Sequence, residues 1–159
     1  MQMLVPAILY RNEIAEEFQK LFYTQDMFYE TGCLDQWTPE IPDNQEFGQF
    51  TYAIVSGEKL IGYLGYTVDY YNSKAYNFGL MSFDRGNPII GKDLFDKIEE
   101  LISELHRVEW RMISGNPVEK HYDKLIEMHN GKKHILKDSI KDKYGKYHDD
   151  IIYEIVTDY

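Results

Sequence analysis

The densest chemistry in the chain lies between Asp84 and Asp93, in the run Asp-Arg-Gly-Asn-Pro-Ile-Ile-Gly-Lys-Asp. Gly86 and Gly91 let the backbone approach a ligand closely. Arg85 and Lys92 supply whole positive charges. A helical repeat begins at once afterwards, so the first-turn N–H groups, which lack acceptors within the helix, face the same place. The helix macrodipole adds positive potential there. Together these features make an anion site, best suited to a phosphate or pyrophosphate.

Strands and helices must position that loop. Met3 to Tyr10 reads as a strand, and Asn12 is placed to cap a helix with Glu13 in its first turn. Ile14, Phe18, Leu21 and Phe22 recur at helical spacing, which carries the helix to about Tyr23. Gln25 to Trp37 holds a second short helix in this reading. Thr38 to Gly48, with Pro39 and Pro42, is a loop of the length that often lines a site.

Phe50–Ser56, Leu60–Tyr70 and Ala75–Phe83 alternate or are rich in Tyr, Val, Ile and Leu, with short turns between them. They form an antiparallel meander. Leu94, Ile98, Leu101, Ile102 and Leu105 mark a helix over Gly91–His106, and Val108, Trp110 and Met112 mark a strand over Arg107–Ser114. Strand, helix, strand is a βαβ unit, so the strands at Ala75–Phe83 and Arg107–Ser114 run parallel with a right-handed crossover.

Asn116-Pro117 opens a last helix, with Val118, Tyr122, Leu125, Ile126 and His129 on one face and Asn130-Gly131 at its end. Lys132–Asp142 and Tyr147–Val156 are the final strands. The expectation is an α/β (α+β) domain spanning residues 1–159. Its mainly antiparallel seven-stranded sheet is flanked by helices and holds one splayed parallel pair. Parallel neighbours that open at their carboxyl ends offer the natural place for a ligand.

Composition narrows the function classes. Seventeen Lys and Arg face 27 Asp and Glu, a formal net charge of −10. No basic cluster suits a nucleic-acid backbone. No apolar run approaches the roughly 20 residues of a membrane span, and no leader is visible. One cysteine, Cys33, excludes an internal disulfide and fits a reducing, cytoplasmic setting. It reads as a small buried hydrophobe.

Gly86 to Lys92 satisfies G-x-x-x-x-G-K, as in a nucleotide triphosphatase. However, Asp93 stands where Ser or Thr would hold Mg²⁺, and Pro88 removes an amide from the cradle. The antiparallel meander upstream argues against that reading as well. Five histidines form no H-E-x-x-H, so no metal is expected, and Ser114 lacks a nucleophile elbow.

Three motifs in order resemble the GNAT N-acetyltransferase superfamily, in its ribosomal-protein and polyamine acetyltransferase-like branch. The loop Arg85–Gly91 is similar to the family's R-G-x-G-x-G/A pyrophosphate loop, one residue longer and without the central glycine. Asn116–Leu125 resembles N-x-x-x-x-x-Y-E-K-L, and Gly145–Asp149 with Ile151–Tyr153 resembles the last strand. The element order matches along nearly the whole chain.

The resemblance implies acetyl-CoA as cosubstrate and direct acetyl transfer to a primary amine, on a small molecule or a protein N-terminus. Backbone contacts to the pantetheine arm would come from Met81, Ser82 and Phe83. Contacts to the pyrophosphate would come from Arg85, Gly86, Asn87, Ile90, Gly91 and Lys92. Asn116 would cap its helix and touch the arm. Tyr122, a phenol protonated at neutral pH, would be the acid for the leaving thiolate. Glu109, facing away from Val108 and Trp110, would take the substrate proton directly or through water. A homodimer is compatible with this reading. The rival is a non-catalytic CoA- or nucleotide-binding or regulatory module on the same scaffold, motivated by the altered loop.

Overall fold

A computed structural model describes residues 2–22, 39–84 and 89–158 of the chain. The order is β1 (Gln2–Pro6), a 3-10 turn (Ala7–Tyr10), α1 (Arg11–Phe22), β2 (Gln49–Ser56), β3 (Lys59–Asp69), β4 (Lys74–Ser82), α2 (Ile89–Glu104), β5 (Arg107–Ile113), α3 (Glu119–Met128), β6 (Lys132–Lys141) and β7 (Tyr147–Val156). The strands form one sheet in the order β1-β2-β3-β4-β5-β7-β6. Among the described residues only β4 and β5 are parallel. No helix among the described residues is long and apolar enough to cross a membrane.

Two apolar clusters sandwich the sheet. On one face α2 and α3 cover Leu64, Phe78, Val108, Trp110, Ile151 and Tyr153. On the other, α1 buries Ile14 and Phe18 against Ala53, Val55, Tyr63 and Met81. Phe18 meets Tyr63 and Phe83 edge-on, with ring centroids 5.8 and 5.6 Å apart. Strand alternation assigns these residues to their faces, as the sequence pattern requires.

Three boundaries differ from the sequence reading. The first strand ends at Pro6, and the chain coils tightly through Ala7–Tyr10 into α1. The residue at position 12 therefore lies inside the helix rather than at its cap. The physical reason is Pro6, which cannot donate to a sheet ladder and ends the pairing with β2. Helix α2 starts at Ile89, two residues early. Helix α3 starts at Glu119, after a turn that Asn116 closes by accepting the Val118 N–H at 3.1 Å. The second short helix expected over 25–37 and Cys33 lie outside the described residues.

Candidate active site

Strand β5 is hydrogen-bonded very differently along its two edges. Against β7 it is paired at every position from Arg107 to Ile113. Against β4 it is paired only at Lys74↔Arg107 and Ala75↔Val108. Beyond those two positions the strands part and form a wedge that opens toward their carboxyl ends. The parting coincides with a bulge. The β3–β4 register slips between Gly65 and Thr67, and Asn77 adopts φ 54° opposite the slip. A bulge bends its strand and re-aims the residues beyond it. Here it turns β4 away from β5.

Alternation of backbone direction tells which main-chain groups face the wedge. The Phe83 N–H donates to the Ile61 carbonyl of β3 at 2.9 Å. Met81, two residues earlier and opposite Tyr63, has the same orientation. The backbone groups of Ser82 and Leu80 therefore turn toward the wedge. On the other arm, the Arg107 N–H donates to Ser73 on the β4 side, and the Ser114 N–H donates to Asp149 on the β7 side. The backbone groups of Glu109, Arg111 and Ile113 then face the wedge.

This corrects two expectations. Met81 and Phe83 direct their N–H groups at β3, and of the three predicted contacts only Ser82 is turned inward. The backbone of Leu80 is turned inward as well, a position the sequence reading did not name. The bulge shifts the parity of β4 by one residue at Asn77, a residue type that tolerates a positive φ. The Met81 side chain is fully buried on the α1 face.

The α2 end of the wedge carries Ile90 and Gly91 in its first turn. The Ile90 side chain is buried in the core, so only its backbone is available for a ligand. A Cβ at Gly91 would meet nothing within 4 Å among the described residues, which leaves open space beside that turn. Lys92 pairs with Asp96 along the helix, and that hydrogen bond and charge raise the Lys92 ammonium above its ordinary value. Arg85, Gly86, Asn87 and Pro88 lie outside the described residues.

Tyr122 reaches down from α3 and is completely buried. Its ring lies 5.6 Å from Trp110, 5.4 Å from Tyr153 and 5.5 Å from Phe95. The packing expected of Tyr122 is thus real, and its phenol is fixed beside β5. Tyr153 stacks on Trp110 at 5.4 Å and donates to Asp123 at 2.9 Å. Burial and that hydrogen bond push the Tyr153 phenol well up, so it stays protonated.

The Trp110 indole N–H is buried and has no hydrogen-bond partner among the described residues. A buried donor without an acceptor costs about 1–3 kcal/mol. Sequence reading used Trp110 only to mark the alternating strand Arg107–Ser114 and gave no sign of this.

Glu109 stands on the opposite face of β5 from Tyr122. Its carboxylate takes Arg107 at 2.7 Å, and Arg107 also reaches Glu154 at 2.5 Å. The hydrogen bond from His134 and the charge of Arg107 hold Glu154 below the usual carboxylate range. Glu109 and Tyr122 are thus brought to the two sides of one strand, at the fork. The described part of the loop before β2, from Pro39 on, lies elsewhere. It borders a hollow of about 260 Å³ with Pro6, Ala7 and Thr51, on the β1–β2 side of the sheet.

No protein-family model matches the chain, and no curated protein matches it. Solved structures match it over nearly its whole length. RimL, a ribosomal alpha-N-protein acetyltransferase in complex with coenzyme A, has a TM-score of 0.71 at 16% identity, covering 99% of this chain and 94% of that one. The self-immunity acetyltransferase MccE, in complex with acetyl-CoA and AMP, has a TM-score of 0.67 at 17% identity, covering 98% and 92%. A ribosomal-protein alanine N-acetyltransferase from Escherichia coli has a TM-score of 0.63 at 12% identity, covering 98% and 94%. The chain has the fold of the GNAT acetyltransferases.

Proposed function

We propose that this chain is an acetyl-CoA-dependent N-acetyltransferase that moves the acetyl group directly to a primary amine. The wedge carries the proposal. Two strands that part after two paired residues, with backbone groups of Leu80, Ser82, Glu109, Arg111 and Ile113 turned inward, suit an extended ligand rich in amides. The pantetheine arm of acetyl-CoA is such a ligand. The first turn of α2, open beside Gly91, would take the pyrophosphate.

In this reading the acceptor nitrogen attacks the thioester carbon from the α1 face. The C–N bond forms as the C–S bond breaks. The phenol of Tyr122, on the other face, gives its proton to the leaving sulfur. Glu109, released from Arg107, takes the amine proton directly or through water. Asn116 holds the turn that sets α3, and with it Tyr122, over β5.

A protein N-terminus is the acceptor class favoured here. Two of the solved neighbours are ribosomal-protein N-acetyltransferases, and the net charge of −10 attracts a cationic amine. A cytoplasmic location accords with such an acceptor.

A thermal melt tests the cosubstrate. Acetyl-CoA at about 100 times its dissociation constant adds about 2.7 kcal/mol, a rise of roughly 5–10 °C for a domain of this size. No rise at millimolar acetyl-CoA or CoA would remove the transferase reading. Turnover with peptides bearing free α-amines, measured by thiol release, then tests the acceptor.

A further inference from the structure

We propose that the indole N–H of Trp110 is a positioning donor for the acyl donor, hydrogen-bonded to a carbonyl oxygen of the thioester or of the adjoining pantetheine amide. The inference rests on the acetyl-CoA reading and adds a residue to it. Three observations carry it. Trp110 is 1% exposed, and its N–H has no partner among the described residues. Nearly all buried polar groups find one; the other such atom among the described residues, Arg11 Nε, lies on α1, whereas Trp110 stands on an arm of the wedge, where a ligand can supply the acceptor.

Secondly, the ring is held on two sides. Tyr153 stacks on it from β7 at an interplanar angle of 14°, and Tyr122 meets it edge-on from α3 at 64°. The neighbouring phenol of Tyr153 is committed to Asp123 at 2.9 Å. Thirdly, Trp110 lies two residues past Val108, the last position of β5 paired with β4. It therefore stands on the arm of the wedge where the strands have parted, on the same face as Tyr122. A donor whose ring is fixed by packing on two sides can orient a carbonyl that reaches it as the ligand enters the wedge.

The test uses the intact protein labelled with ¹⁵N at the indole nitrogens. Two tryptophans, Trp37 and Trp110, give two indole N–H signals. Either Trp37→Phe or Trp110→Phe assigns them, so the test survives if one variant misfolds. Acetyl-CoA and CoA are titrated separately, and the thermal melt reports binding independently.

The expected result is a downfield shift of the Trp110 indole proton. A shift with acetyl-CoA alone assigns the thioester oxygen as acceptor. A shift with both ligands assigns a pantetheine amide, and either outcome supports the inference. Trp110→Phe, which keeps an aromatic ring, should weaken acetyl-CoA binding roughly 2- to 10-fold. If the melt registers binding while the Trp110 signal stays in place, the inference is overturned and the transferase reading stands. If neither ligand raises the melt, both fall together.

Discussion

The two edges of β5 face two different neighbours. Along β7 the strand is zipped through seven consecutive pairs, Arg107↔Val156 to Ile113↔Asp150. Along β4 it is zipped through two. The residues are the same, so local propensity does not explain the contrast. The geometry of the partner strand does. β7 keeps an unbroken antiparallel register with β5, although its ladder with β6 slips between Leu136 and Ile140, whereas β4 carries the bulge opposite Gly65–Thr67 on its way along β5. The closed edge supplies stability, and the open edge is the place proposed for the ligand. A fold that needs both must break the regularity of one strand.

Four substitutions test that division, from the largest expected effect downward. Tyr122→Phe keeps the packing against Trp110 and Phe95 and removes only the hydroxyl. Turnover at saturating acetyl-CoA should fall by about 10²–10⁴, while the melting temperature and CoA affinity stay close to wild type. Full turnover in this variant would take Tyr122 out of the chemistry.

On the closed edge, Ile151→Ala removes a fully buried side chain of β7 that pairs with Met112. It should cost about 2–5 kcal/mol in urea unfolding. The folded variant should bind CoA as tightly as wild type, and a matching loss of affinity would mean that the two edges are not separable.

On the open edge, Ser82→Pro deletes an N–H that points away from β3. Acetyl-CoA affinity, followed by calorimetry, should drop by roughly 2- to 10-fold with the sheet intact. Unchanged affinity would place the arm elsewhere.

The smallest effect concerns pH. Glu154 is held below its ordinary value by His134 and Arg107. A carboxylate lowered on folding adds stability that is present above its unfolded pKa, about 4.3, and lost as pH falls through the lowered value. Glu154→Gln should therefore lower the melting temperature at pH 7 and converge on wild type as the pH drops below about 4. A constant offset across that range would show that the ion pairs contribute nothing.

Much of the fold is legible in the chain. Alternation in Val108, Trp110 and Met112, the helical spacing of Leu94, Ile98, Leu101 and Ile102, and the turn residues between β2, β3 and β4 all act over a few neighbours. These signals lead to the observed order of elements and to the parallel crossover. The candidate site was legible in part. Tyr122 was placed on the correct face of α3, and Glu109 on the correct side of β5. Its ion pair with Arg107, two residues away on the same strand, went unread, and the link from Arg107 to Glu154 joins strands far apart in sequence. The same holds for Leu80, whose inward backbone comes from a slip in register.

The sequence by itself settled which segments are strands and helices, since those choices depend on backbone preferences and on apolar spacing within a turn or two. Only the tertiary structure decided where β4 leaves β5, which amides line the gap, and that the Trp110 indole N–H lies buried without an acceptor among the described residues. Each of these depends on the register between strands and on the closing of distant side chains over one another, quantities that no short stretch of residues contains.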